Sequence, residues 1–260
     1  MRENFIVDAH AHSGYPNIFS CPEVTPQDLL CRMDSLQIEY ALHCGDMESI
    51  VGDSTSGLEK WEKTYKESRG RIPYLCVFDP RQGHQCLEVL GRAQSLDGFR
   101  GIKIHPTFHK TPPEDQSYEP AWRFAADTGL PIMSHTWSVS SYNPGQALST
   151  PGRFEVWVRS FPSVSLVLGH SGGRGSGRHE AIRMVKQYEN VYMDFAGDIY
   201  CYDYMHRVMH DVPIRKVLFG SDWPWIDPRS HLSRVFLSDL SLEAKRKVLR
   251  DNAMAVYHIG

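Results

Sequence analysis

Eight short β-like runs, most of them separated by helix-like stretches, set the strongest limit on what this chain can fold into. They cover residues 4–10, 39–45, 72–78, 99–105, 131–135, 164–170, 190–196 and 216–222. Several are almost wholly apolar, such as Val164-Ser165-Leu166-Val167-Leu168 and Val217-Leu218-Phe219. Such runs suit parallel strands covered on both faces. Between them, Thr25-Pro26-Gln27-Asp28 reads as a helix start, with Thr as cap, Pro in the first turn and an acid after it. Pro120–Ala126 and the stretch from Ser241 to about Tyr257 read as further helices. Strands alternating with helices point to an α/β fold, a (β/α)₈ barrel occupying residues 1–260 as one domain of ordinary barrel size. An open doubly wound sheet would alternate in the same way. No Gly-x-Gly-x-x-Gly follows the first run and no phosphate-loop Gly-Lys-Ser/Thr occurs, which weighs against a nucleotide-binding open sheet.

Composition narrows the function classes. With 28 Lys and Arg against 31 Asp and Glu the formal charge is −3, and no basic run offers a nucleic-acid footprint. No apolar stretch approaches the ~20 residues that span a bilayer, and no secretory leader pattern opens the sequence. The six cysteines, Cys21, Cys31, Cys44, Cys76, Cys86 and Cys201, form no Cys-x-x-Cys pair and read as reduced thiols. A cytoplasmic enzyme with a small-molecule substrate, and neither nucleic-acid nor membrane partner, is expected.

The chemistry gathers at the ends of the runs. The first closes on Asp8-Ala9-His10-Ala11-His12, the fourth on Lys103-Ile104-His105, the fifth on Ser134-His135, the sixth on Gly169-His170 and the eighth on Gly220-Ser221-Asp222. Side chains alternate along a strand, so Asp8, His10 and His12 would point into one space. Two imidazoles there could bite one metal ion, with the acid before them orienting one. A lone His-x-His is weak evidence; strand ends that supply further ligands strengthen it, because barrel enzymes draw catalytic groups from the C-terminal ends of several strands. Nitrogen and oxygen donors suit Zn²⁺, and also Mn²⁺ or Fe²⁺. Three long connections follow such ends: 106–119, 136–152 and the glycine-dense 171–178. All are candidates for substrate loops or lids.

Val7-Asp8-Ala9-His10-Ala11-His12, Gly101-Ile102-Lys103-Ile104-His105-Pro106, Pro131-Ile132-Met133-Ser134-His135, Leu168-Gly169-His170-Ser171-Gly172-Gly173, Leu218-Phe219-Gly220-Ser221-Asp222-Trp223-Pro224 and Asn252-Ala253 follow one another along nearly the whole chain. In that order they resemble the amidohydrolase superfamily of metal-dependent barrels. The resemblance is to the amidohydrolase-related branch (family 2) that includes the aminocarboxymuconate-semialdehyde decarboxylase group. It implies a distorted (β/α)₈ barrel of the metallo-dependent hydrolase type. It also implies that His10 and His12 are the first-strand metal pair and His135 the fifth-strand ligand. Asp222 would be the eighth-strand acid that binds metal or its water and accepts the proton. His170 would contact water or substrate in one-metal members and ligate the second ion in two-metal members. In two-metal relatives a carbamylated fourth-strand lysine bridges the ions, a role open to Lys103. Its place two residues before His105 favours a deeper position, a single Zn²⁺, and His105 near substrate. Relatives are often dimers, so a homodimer is expected by resemblance.

Each assignment has a plainer competitor. His105 reads equally well as a structural histidine, and Asp222 could merely cap the turn after it. Trp137, Trp223 and Trp225 could wall a pocket or pack beneath loops. Arg174 could anchor an anionic substrate group or stay solvated. Asp194 could place an acid in the barrel, though a structural role is favoured, as it is for His43. The leading expectation is a hydrolase of a small carboxylated amide, lactone or ester, using metal-activated water with Asp222 as base. The alternative is non-oxidative decarboxylation of an aromatic or muconate-like acid at the same site.

Overall fold

In the computed structural model, which describes residues 5–14, 23–199 and 204–260, eight parallel strands follow one another in chain order around a single sheet. They are β1 (Ile6–Ala11), β2 (Ile38–His43), β3 (Tyr74–Val77), β4 (Phe99–Ile104), β5 (Ile132–His135), β6 (Leu166–Gly169), β7 (Val191–Asp194) and β8 (Val217–Leu218). The last strand returns to the first: Ala9 N–H donates to Phe219 O at 2.9 Å, Asp222 N–H to His10 O at 2.8 Å and His12 N–H to Trp223 O at 2.7 Å. An open sheet would leave β1 and β8 apart, so the fold is the (β/α)₈ barrel. The ladder of β8 is far shorter than the expected 216–222. Beyond Leu218 the backbone meets β1 through the separate bonds just described, and Asp222 turns out of the strand with φ 67°.

Helices cover the barrel where their signals lie. Thr25 caps Pro26–Leu36: its hydroxyl accepts from Asp28 N–H, and the Asp28 carboxylate accepts from Thr25 N–H at 2.8 Å. That helix turns Leu29 and Met33 inward. Glu119–Thr128 buries Ala121, Trp122 and Ala125 and stops at Gly129. Ser241 caps the C-terminal helical stretch, accepting from Ala244 N–H at 3.2 Å. At the far end of that stretch Asn252 donates to Val217 O at 2.7 Å and Ile214 O at 2.8 Å, tying it to β8.

Two apolar clusters hold these layers. The larger joins Ile102, Ile104, Leu166 and Leu168 to Trp122, Ala125 and Met184 of the helices. The smaller gathers Leu42, Leu75, Met133, Val167 and Leu218 from five strands. Neighbours Ile132 and Met133 fall in different clusters, as a period of two requires. Cys31, Cys44, Cys76 and Cys86 are free thiols, and Cys21 and Cys201 lie outside the described residues. Among the described residues no helix is long and apolar enough to cross a membrane.

Candidate metal centre

β1 is buried along its whole length, and His10 and His12 are buried at its C-terminal end. Asp8 does not orient either imidazole. Its Oδ1 accepts from His10 N–H at 3.1 Å and Ser221 N–H at 2.9 Å, joining β1 to the end of β8. Burial pushes its carboxyl up to about 7. The acid that orients His10 is Asp194, the last residue of β7, whose Oδ2 lies 2.9 Å from His10 Nδ1. Its Oδ1 accepts from His170 N–H at 2.8 Å and Ala196 N–H at 3.0 Å. The structural role expected of Asp194 is thus joined to the metal centre. Its strand-end position, the signal that marked the other residues, could have revealed it.

Hydrogen bonds on the outer nitrogens set the tautomers. His12 Nδ1 lies 2.6 Å from Gly45 O and His170 Nδ1 lies 3.0 Å from Ala196 O. A carbonyl accepts only, so each Nδ1 carries a proton, and on His12, lowered by burial, Nε2 keeps its lone pair. Asp222 Oδ1 sits 3.5 Å from His12 Nε2 and 3.8 Å from His10 Nε2. Neither contact closes as a hydrogen bond, and Oδ1 is buried without a partner. The donor atoms of His10, His12 and Asp222 all lie within 4.8 Å of one another. An orphaned carboxylate oxygen facing two imidazole nitrogens fits a divalent cation, because unpaired buried polar groups are otherwise costly.

The protonation states agree. Burial, and after it the charge of Lys103, holds His10 well below the usual imidazole range; burial lowers His12. Burial would raise Asp222, but His170 and the contact with His12 outweigh it and keep the carboxyl below its ordinary range. Neutral imidazoles beside an ionised carboxylate are the forms that bind metal. Lys103 is buried in the barrel with its Nζ 3.1 Å from His10 Nε2 and 3.6 Å from Met133 Sδ. Burial lowers its pKa. His170, Ser171 and Asp222 all take left-handed backbone conformations, with φ of 64°, 49° and 67°. Asp194 steadies this strained turn through its bond to His170 N–H and through its own carbonyl, which accepts from the Ser171 hydroxyl.

His135 lies beside these donors rather than among them. Its Nε2 is 3.0 Å from Gln146 Oε1. Its ring stacks on His105 at 4.1 Å and 7° and runs parallel to Trp137 at 6.1 Å and 8°. Burial, followed by neighbouring charges, holds both His105 and His135 well below the imidazole range.

The centre opens into a cavity of about 360 Å³. Lys103, His105, His135, Trp137 and His170 line it, as do Phe108 and Gln146. Two expected contributors do not. Trp223 is drawn aside because its carbonyl pairs with His12 N–H and its ring lies 5.3 Å from the Arg32 guanidinium; Trp225 lines the cavity in its stead. Arg174 is engaged at 2.7 Å by Asp198 and lies outside the lining. Of the three long connections, 106–119 and 136–152 supply walls and 171–178 does not. Ser138 staples the last one down, donating to Gly172 O at 2.8 Å and accepting from Gly177 N–H at 3.0 Å. Met47, Ile50 and Ile226 complete the wall from connections the sequence did not single out. His43 is structural as read, stacked on Trp61 at 3.5 Å with its Nε2 3.1 Å from Ser13 Oγ.

Comparisons with known proteins match this architecture. The structure of 2,6-dihydroxybenzoate decarboxylase from Rhizobium superposes with a TM-score of 0.79 at 14% identity, covering 98% of this chain and 99% of that one. That of 5-carboxyvanillate decarboxylase from Sphingomonas paucimobilis gives 0.75 at 11%, covering 98% and 99%. A 5-carboxyvanillate decarboxylase from Novosphingobium aromaticivorans, solved with bound manganese, gives 0.77 at 12%, covering 99% and 98%. At these identities the likeness shows a shared fold and no more. A search of curated proteins finds no relative by sequence. Residues 60–259 match the family model described as amidohydrolase. That stretch runs from before β3 almost to the last residue, well over half of the sequence, and the chain belongs to the amidohydrolase family.

Proposed function

We propose that this protein is a metal-dependent, non-oxidative decarboxylase of a small aromatic acid, rather than the amide, lactone or ester hydrolase that the sequence favoured. The observation that carries the reading is the wall beside the donor set. His105, His135 and Trp137 present near-parallel rings, with Phe108 4.2 Å from His105 and Trp225 4.7 Å from His12. A cavity of about 360 Å³ bounded by such rings suits one planar ring. The structurally similar decarboxylases that act on dihydroxybenzoate and carboxyvanillate belong to the same substrate class.

His10, His12 and Asp222 would hold one divalent ion, with His135 on the cavity wall beside them. The ion, Mn²⁺ or Zn²⁺ for such a donor set, supplies a Lewis-acidic anchor for the acid's oxygens when bound. Decarboxylation then needs a proton at the ring carbon that bears the carboxylate. The new C–H bond forms, the C–C bond breaks, its electron pair returns to the ring, and CO₂ leaves. His170, with Nδ1 committed to Ala196 O, has Nε2 available to hold that proton. Rings on the walls keep the planar acid aligned and shed water, and His105 and Lys103 line the cavity that receives it. A cytoplasmic location, with no nucleic-acid or membrane partner, is part of the same proposal, as is a homodimer.

The test is a side-by-side assay of the Mn²⁺- and Zn²⁺-loaded protein. One arm measures CO₂ release from hydroxybenzoic acids, the other the opening of lactones, esters and amides. CO₂ release alone supports the reading, whereas hydrolysis without CO₂ release would falsify it.

A further inference from the structure

His105 directly follows β4, opens the short helix Pro106–His109 and lines the cavity. Its Nδ1 accepts from the Phe108 backbone N–H at 3.4 Å, which caps that helix. The contact is long, but its direction is fixed, because a backbone N–H can only donate. Nδ1 therefore keeps its lone pair, the ring is neutral, and its one proton sits on Nε2. Burial favours the same neutral form. The ring is also held in place. His135 stacks on it at 4.1 Å and 7°, Phe108 packs on it at 4.2 Å and 34°, and the His105 backbone N–H donates to His109 Nδ1 at 3.4 Å. Among the described residues Nε2 meets no acceptor, so this cavity-lining ring offers its N–H to whatever occupies the cavity.

His105 is not one of the converging metal donors. A chain of ring contacts leads to it from His10 through His170 and His135, with successive centroids 4.8, 4.9 and 4.1 Å apart. A ligand held at the metal centre thus meets His105 with a different part of itself. Resting on the decarboxylase reading, we infer that His105 is a specificity-determining residue that donates from Nε2 to an acceptor oxygen on the substrate ring, apart from the oxygens held at the metal. The preferred acids therefore carry an oxygen substituent at the ring position facing His105, and acids with a hydrocarbon group of the same size there bind less well. A site built to hydrogen-bond one group discriminates against an analogue that lacks it, because its own donor is then left unpaired. The cap and the donor use opposite nitrogens, so the structural role of this histidine is what presents its binding one.

Two substitutions separate those roles. His105→Asn keeps an oxygen near the place of Nδ1, where asparagine is a preferred cap, and removes the Nε2 donor. His105→Gln keeps an amide N–H near the place of Nε2 and gives up the cap. The experiment measures Kd by calorimetry, CO₂ release and melting temperature on the metal-loaded proteins. The probes are 2-hydroxybenzoates bearing methoxy, or ethyl of similar size, at successive ring positions. For the wild type, one position should favour methoxy over ethyl by about three- to tenfold, the scale of one neutral hydrogen bond. His105→Asn should lose that preference with its melting temperature held, and His105→Gln should keep the preference while melting lower. Loss of the ring stack weakens both acids of a pair alike, so the ratio reports the donor. A preference that survives in His105→Asn, an equal loss in both variants, or CO₂ release by a wild type with no preference at any position overturns the inference and leaves the decarboxylase reading standing. Should His105→Asn not fold, His105→Gln decides alone by keeping or losing the preference. The expected pattern of binding without CO₂ release from any acid overturns the decarboxylase reading and supports the donor role of His105. Failure of the wild type to bind any of these acids overturns both.

Discussion

Asp194 Oδ2 lies 2.9 Å from His10 Nδ1, with both side chains fully buried. The contact reaches across the barrel seam from β7 to β1. It commits the His10 proton to Nδ1 and leaves Nε2 as a lone pair facing Asp222 and His12. A carboxylate behind a ligating histidine also raises its basicity.

Asp194→Asn should therefore impair metal binding more than its near-identical shape suggests. If the amide offers an N–H to Nδ1, the imidazole proton is driven onto Nε2, the nitrogen needed at the centre. Metal affinity measured by competition with a chelator should fall about 10- to 100-fold. Affinity equal to wild type would remove Asp194 from the ligand-orienting role.

Asp222→Asn removes the one anionic donor at the convergence point. CO₂ release should fall by about 10²- to 10⁴-fold, the range of a lost acid–base group, while circular dichroism stays that of the folded barrel. Undiminished turnover would show that the proton travels by another route.

Gly197 has φ 86°, and a Cβ there would lie 2.7 Å from His170 Nδ1 and 3.3 Å from Asp222 Oδ2. Gly197→Ala should lower stability by about 1–3 kcal/mol, as overpacking does. It should also depress kcat more than KM by displacing His170. An alanine variant with wild-type kcat would mean that the turn shifts without disturbing the imidazole.

His109 and His231 are buried, and burial lowers each imidazole from 6.5 to about 4. In this window the unfolded chain binds protons that the folded one excludes. Their contribution to stability is complete above about pH 6.5 and declines as the pH falls toward 4. Urea unfolding should show a lower midpoint near pH 5 than near pH 7.5, with the difference reduced in His231→Phe, where no proton can bind. A midpoint independent of pH across this range would contradict the assignment.

Arg174 is held by Asp198 outside the cavity lining. Arg174→Ala should leave kcat/KM within about threefold of wild type, since an exposed ion pair contributes at most about 1 kcal/mol. A hundred-fold rise in KM for carboxylated substrates would restore it as the anchor.

The sequence by itself determined the number and order of the strands, the main helix caps and the strand-end positions of His10, His12, Lys103, His105, His135, His170 and Asp222. Those features are local: an apolar run, a period of two and a capping pair are each read within a few residues. Only the tertiary structure decided which neighbour each strand end meets. Asp8 spends its oxygen on backbone N–H groups where β8 returns to β1, leaving Asp194 to orient His10. Arg174 turns to Asp198 and Trp223 is pulled into the seam, while Gln146 comes forward from a connection whose composition signalled only irregular structure. Closure of the barrel and the folding of its loops set distances between residues far apart in the chain, and hydrogen bonds across such gaps leave no periodic trace in the sequence.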